Sequence, residues 1–104
     1  MSETVVLCGV NEVLEGEIRQ ASLPDGSHVA LFRVGEAIYV TADKCTHGEV
    51  SLSEEGILTG KIVECTFHFG TFDVTTGEPT GMPCEVPLKT YPVMVIDEQV
   101  CIEV

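Results

Sequence analysis

The sequence predicts an all-β domain, a small antiparallel sandwich or barrel with an insert in its middle. Three observations lead there. Short runs rich in β-branched residues alternate with turn residues along the whole chain. No segment sustains a helical period, and "NEVLEGE" (11–17) has room for one helical turn at most. The chain has 104 residues, 44% of them hydrophobic, which supports one domain with one modest core (1–104) and no disordered tract.

The elements follow in order. "TVVLCGV" (4–10) reads as a first strand. "EIRQASL" (17–23) and "HVALFRV" (28–34) flank the turn "PDGS" and form a hairpin. Gly35-Glu36 turns the chain into "AIYVTA" (37–42), with glycine at the first central position of a type II′ turn. From 43 to 60 the texture changes to Gly, Ser, Glu and Thr. "KIVEC" (61–65) and "TFDVTT" (71–76) read as strands, and "GEPTGMPCEVP" (77–87) as a Pro-rich loop. "TYPVMVI" (90–96) and "QVCIEV" (99–104) close the chain as a hairpin over Asp97-Glu98. In the last strand Val100, Ile102 and Val104 alternate with Gln99, Cys101 and Glu103, a half-buried pattern. Residues from about 43 to 87 therefore read as an insert held on a sheet scaffold, the usual place for chemistry.

Composition narrows the function. Seventeen acids against five bases give a net charge of -12, which makes nucleic acid and anionic membranes poor partners. The charge suits either a basic protein partner or plain solubility. The longest apolar runs, such as "YPVMVI" (91–96), are too short to span a bilayer. The N-terminal "MSETVVLCGV" lacks the basic start and long apolar stretch of a signal peptide, so a cytoplasmic location is expected. Five cysteines cannot all pair within one chain, and in a reducing compartment clustered Cys and His point to metal or catalysis.

The cluster is explicit. Of three histidines, two follow a cysteine closely, giving C-x-H-x17-C-x2-H over Cys45, His47, Cys65 and His68. Each half offers one thiolate and one imidazole, and a metal requires deprotonated sulfur and a neutral ring nitrogen converging on it. A structural zinc site of the Cys2His2 kind is one reading. Zinc fingers, however, group Cys with Cys and His with His, and no helix follows here to carry a His pair. The other reading is a Rieske [2Fe-2S] cluster, with two Cys on one iron and two His on the other. Loops that each mix the donors suit it, because each can give its Cys to one iron and its His to the other.

At this point the chain resembles a known family. "CTHGEVSLSEEG" and "CTFHFGTFDVTTG", followed by a Pro-containing loop, look like a Rieske ferredoxin, of the kind serving bacterial aromatic-ring-hydroxylating dioxygenases of the toluene, biphenyl and naphthalene type. The likeness runs from the first strand to the final hairpin. Thr66 departs from it, since many relatives have Pro there; this alters loop stiffness, not ligation. The resemblance implies that Cys45 and Cys65 bind the inner iron and that His47 and His68 bind the outer iron near the surface. It implies a cluster-binding subdomain at about 43–87, with Met82 and Pro83 as a third wall. It also implies that Gly48 and Gly70 let backbone N–H groups approach the sulfurs.

High-potential Rieske proteins add a cysteine to each loop and hydroxyl donors after the second motif. Here Val50 and Phe67 occupy the cysteine places, and Gly70 and Phe72 the hydroxyl places, although Thr71 keeps a hydroxyl nearby. Fewer donors leave a reduced cluster less stabilised, so a low potential is expected.

Cys8, Cys84 and Cys101 lack a His partner at ligand spacing and read as small buried or half-buried hydrophobes; Cys84, in the Pro-containing loop, has a redox role beside the cluster as its lesser reading. His28 reads as exposed at a strand start. Phe67, Phe69 and Met82 suit either local packing or an apolar docking tip. Glu49, Glu54, Glu55, Glu64 and Glu85 suit either an acidic collar or a solvated face.

The chain has no dinucleotide loop, no P-loop and no catalytic residue of its own. The resemblance implies a monomeric one-electron carrier. Its partners would be an NADH-dependent flavoprotein ferredoxin reductase and a terminal Rieske oxygenase. A permanent small Rieske subunit of an oxidoreductase, or a non-redox zinc-stabilised interaction module, are the other readings.

Overall fold

The structure is a computed structural model, and it describes residues 3–44, 51–65, 70–81 and 86–103. Its strands are β1 (Thr4–Gly9), β2 (Ile18–Ser22), β3 (His28–Val34), β4 (Ala37–Ala42), β5 (Gly56–Thr59), β6 (Ile62–Cys65), β7 (Gly70–Asp73), β8 (Pro79–Gly81), β9 (Thr90–Tyr91), β10 (Val93–Ile96) and β11 (Gln99–Glu103). A 3-10 turn covers Val10–Glu12, and a single helical turn, α1, covers Leu52–Glu55. The expected all-β class holds.

Three antiparallel sheets form: β1-β11-β10, β2-β3-β4-β9 and β5-β6-β7-β8. The middle sheet is a scaffold with apolar side chains on both faces. Strand β3 explains how. Val29 and Leu31 join one core with Cys8, Val13, Val40, Val100 and Ile102. Ala30 and Phe32 point the other way, into a second core with Leu52, Leu58, Val63, Cys65, Phe72, Val74 and Leu88. The unbroken apolar run "VALF" is the signature of a strand covered on both faces. Burial of each large side chain contributes about 1.5–3 kcal/mol.

The first half of the chain matches the sequence reading closely. β3 and β4 span the expected residues, and Gly35 takes φ 62° at the turn between them while Glu36 keeps negative φ. At the last hairpin both Asp97 (φ 51°) and Glu98 (φ 64°) are left-handed, the pattern of a type I′ turn, whose twist matches that of its strands.

Four expectations need correction. The expected strand over 90–96 is two strands in different sheets, β9 beside β4 and β10 beside β11. Pro92, which has no N–H to give a ladder, marks the crossing. The expected strand over 71–76 ends at Asp73, whose carboxylate accepts hydrogen bonds from the Thr75 N–H (2.9 Å) and hydroxyl (2.6 Å) and folds 74–76 into a turn. The segment 43–60 contains β5 and α1, and the Pro-rich segment contains β8, elements too short to show a period. Cys101 is buried (2% exposed), as expected of a small buried hydrophobe, which corrects the alternation that set it with Gln99 and Glu103; Val6 and Met94 flank it on neighbouring strands. Val104, expected as an inward residue, lies outside the described residues.

The Asp73 turn carries a pH prediction. Hydrogen bonds from the Thr75 hydroxyl, then its N–H, and the Lys61 ammonium at 3.4 Å hold the Asp73 carboxyl below its ordinary value. A carboxyl with a lowered folded pKa stabilises the fold above its unfolded value of about 3.9, and that contribution is lost as pH falls through the folded value. Urea midpoints measured from about pH 5 down to about pH 2 should therefore fall further for the native chain than for Asp73→Asn. Parallel curves would contradict this.

Candidate metal centre

The inserted sheet sets Cys65 and Gly70, which bracket residues 66–69 of the second Cys/His motif, side by side at one end. Gly56 starts β5, Cys65 ends β6, Gly70 starts β7 and Gly81 ends β8, so in an antiparallel sheet all four lie at the same edge of the ladder. The register pairs Gly56 with Cys65 and Cys65 with Gly70, and sets Gly81 opposite Thr71. Chain connectivity does the rest. Residues 66–69 join Cys65 to Gly70, and residues 82–85 follow Gly81. Residues 45–50 are bracketed by the bridge between Lys44 and Ser51, and Ser51 leads through α1 into Gly56. Residues 66–69 and 82–85 thus attach at this end directly, and residues 45–50 connect to it through Ser51 and α1.

Cys65 is the described member of the four expected ligands. It is 1% exposed and packs in the core that holds Phe32 and Phe72. Cys45, His47 and His68 lie outside the described residues. So do Gly48, Glu49, Val50, Thr66, Phe67, Phe69, Met82, Pro83, Cys84 and Glu85. Among the described residues no three His, Cys, Asp or Glu side chains gather to hold a metal.

Two features fit the low-potential reading. Phe72, on the same face as Cys65 and one pair further along, is fully buried and has no hydroxyl. Thr71, the hydroxyl left in play by the sequence, is opposite Glu64 on the other face, where the Thr80 hydroxyl donates to its Oγ1 at 2.8 Å. Thr71 therefore does not share the face of the Cys65 thiol.

The remaining thiols have other surroundings. Cys8 and Cys101 are buried and unpaired in disulfides. Burial pushes the Cys8 thiol up, with the nearby Arg19 guanidinium offsetting part of the rise. A thiol so placed stays protonated near neutrality and is a poor nucleophile or ligand. His28 is exposed at the start of β3, as expected, and its Nδ1 lies 3.1 Å from Ser22 Oγ.

Sequence reasoning passed over the best-connected buried charge. Asp43 is 3% exposed and, with Thr41, makes up the buried polar set among the described residues. Its carboxylate accepts from the Ser53 N–H (2.8 Å), the Gln20 side-chain amide (2.9 Å) and the Ser51 hydroxyl (2.5 Å). The signal available was its place two residues before Cys45, in "DKCTH".

The donor chemistry fits a Rieske centre: two cysteines and two histidines in mixed pairs, with one thiol buried at the sheet end from which the second motif segment leaves. The chain belongs to the Rieske [2Fe-2S] domain family, whose model matches residues 3–92. Its cofactor is accordingly a Rieske-type [2Fe-2S] cluster, and it is an electron-transfer protein rather than a catalyst. It is similar to the p-cumate 2,3-dioxygenase system ferredoxin component of Pseudomonas putida, with 45% identity over 104 residues, covering 100% of this chain and 88% of that one. Among solved structures it is similar to the Sphingomonas yanoikuyae B1 ferredoxin, with TM-score 0.93, 38% identity, and coverage of 98% and 99%. It is also similar to the ferredoxin in a complex of reduced oxygenase and oxidized ferredoxin of carbazole 1,9a-dioxygenase, with TM-score 0.89, 40% identity, and coverage of 95% and 91%.

Proposed function

We propose that this chain takes single electrons from an NADH-dependent flavoprotein reductase and delivers them to a terminal oxygenase that dioxygenates an aromatic ring. The observation that carries this is the likeness, over the full chain, to a ferredoxin component of such a system. The similar ferredoxin seen in complex with its oxygenase supports the second half of the route. Cys45 and Cys65 would hold the inner iron, and His47 and His68 the outer one. Residues from about 43 to 87 would form the cluster-binding subdomain. Electrons would enter and leave through the imidazole edges. The chain would work as a monomer in the cytoplasm; no helix among its described residues is long and apolar enough to cross a membrane.

The potential would be low, on the order of -150 mV. Two arguments agree. Hydroxyl donors are missing at Gly70 and Phe72, and the apolar core around Cys65 disfavours the added charge of reduction. A midpoint well above zero would contradict this.

The test is reconstitution. The reduced protein, mixed with a purified aromatic-ring oxygenase of this class, should be reoxidised when aromatic substrate and dioxygen are present, two carriers per cis-diol formed. NADH with a flavoprotein reductase should re-reduce it. Failure to exchange electrons with either partner class would contradict the proposal.

Charge gives a second readout. Glu54 and Glu55 on α1 are exposed, and Glu64 directly precedes Cys65. Replacing these three with Gln should slow association with the oxygenase at low ionic strength and flatten its salt dependence. Rates and salt slope equal to those of the native chain would mark these carboxylates as a solvated face.

A further inference from the structure

We propose that Asp43 is a positioning residue for the cluster, fixing the first ligand-bearing segment to the scaffold and setting the cluster's potential through its buried charge. The proposal rests on Cys45 and His47 being ligands.

Asp43 ends the scaffold strand run and begins the insert. Its N–H donates to the His28 carbonyl at 3.2 Å, on β3. Its own carbonyl accepts from the Leu52 N–H at 2.7 Å, at the start of α1. Its carboxylate takes one donor from β2, Gln20, and two from the far side of the segment, Ser51 and Ser53. One residue thereby ties β2, β3 and α1 together and closes residues 44–51 at their base, beside the Lys44–Ser51 bridge. The tie extends toward the second motif, since Leu52 leads through α1 to Gly56, the pairing partner of Cys65.

Two consequences follow. Removing the clamp should loosen the segment that carries Cys45 and His47. Groups that orient metal ligands in this way typically hold roughly ten- to a hundredfold in metal retention. The charge acts separately. Two residues of chain reach at most about 7 Å between Cα atoms, so the Asp43 backbone lies within that distance of the Cys45 backbone. All three of its described side-chain and backbone donors are neutral groups, so its negative charge is hydrogen-bonded but not cancelled by them. A nearby buried negative charge disfavours adding an electron.

Asp43→Asn and Ser51→Ala separate the two effects. Both lose hydrogen bonds at the clamp, and both should release iron faster under a chelator challenge, the first by roughly tenfold or more. The midpoint potential should rise in Asp43→Asn, which removes the charge. It should not rise in Ser51→Ala, which keeps the charge and removes a donor. Asp73→Asn, at the other end of β7, is the control for a carboxylate whose role is only to hold a turn; it should keep the native potential and EPR g values. If Asp43→Asn does not fold, Ser51→Ala carries the test through iron release and EPR. Native iron retention, g values and potential in the folded variants would overturn the proposal, as would an equal rise of potential in both. Cys45→Ala and His47→Ala are run alongside. Full iron in either would contradict the ligand assignment itself, whereas loss of iron there with a native Asp43→Asn would overturn only the role of Asp43.

Discussion

Replacing Cys65 with alanine should leave a folded chain without its cluster. Cys65 lies in an apolar core, so alanine is compatible with the surroundings, and the loss of one sulfur atom costs the fold only on the order of 1 kcal/mol. The cluster has no such tolerance, because iron–sulfur centres are held by thiolate and, in the Rieske type, imidazole, and a methyl group supplies neither. The expected result is colourless protein with no bound iron or sulfide and near-native far-UV ellipticity. Cys8→Ala and Cys101→Ala are the matched controls. Both thiols are buried like Cys65, but both lie on strands β1 and β11, away from the inserted sheet. Those variants should keep full iron. Iron retained in Cys65→Ala would contradict the assignment of this thiol.

Phe72→Ala should cause the largest loss of stability. Phe72 is fully buried on β7, and Phe32 from the scaffold belongs to the same core. The side chain therefore packs in the layer that joins the inserted sheet to the scaffold. Removing a buried phenyl ring costs about 3–5 kcal/mol when neighbours cannot collapse into the space. Domains of this size have only about 5–15 kcal/mol in all. The melting temperature should fall by more than about 10 °C, and iron should be released earlier in the transition. Leu14→Ala, on an exposed position outside the strands, should stay within about 0.5 kcal/mol of native. A loss below about 1 kcal/mol for Phe72→Ala would mean that this core does not hold the inserted sheet in place.

The parts of the fold legible in the sequence were those with strong local chemistry. "HVALFRV", the Gly35 turn and the Asp97-Glu98 turn each carry their own geometric instruction. What was not legible depends on tertiary pairing. β5 and β8 are short and gain their place only from β6 and β7. The division of 90–96 between two sheets turns on Pro92, which a run of apolar residues hides. Cys101 reads as outward by alternation, yet neighbouring Val6 and Met94 cover it. The same division applies to the candidate centre. Its donors are visible because C-x-H and C-x2-H are local patterns. The role of Asp43 is not visible, because Gln20, Ser51 and Ser53 meet it from different elements.

The proposed low potential would go together with the acidic surface. A carrier with a net charge of -12 would be attracted to basic patches on its partners and repelled by other copies of itself. The lack of a hydroxyl at Gly70 and Phe72 would keep the electron weakly held, ready to pass on.

The measurement closest to the central claim is an EPR spectrum of the dithionite-reduced protein, purified without oxygen, with iron, sulfide and zinc analysed on the same sample. A Rieske carrier should give red-brown protein with iron and sulfide in the proportions of one [2Fe-2S] cluster per chain, and a signal of lower average g than an all-cysteine cluster gives. A colourless, EPR-silent protein containing one zinc per chain would contradict it.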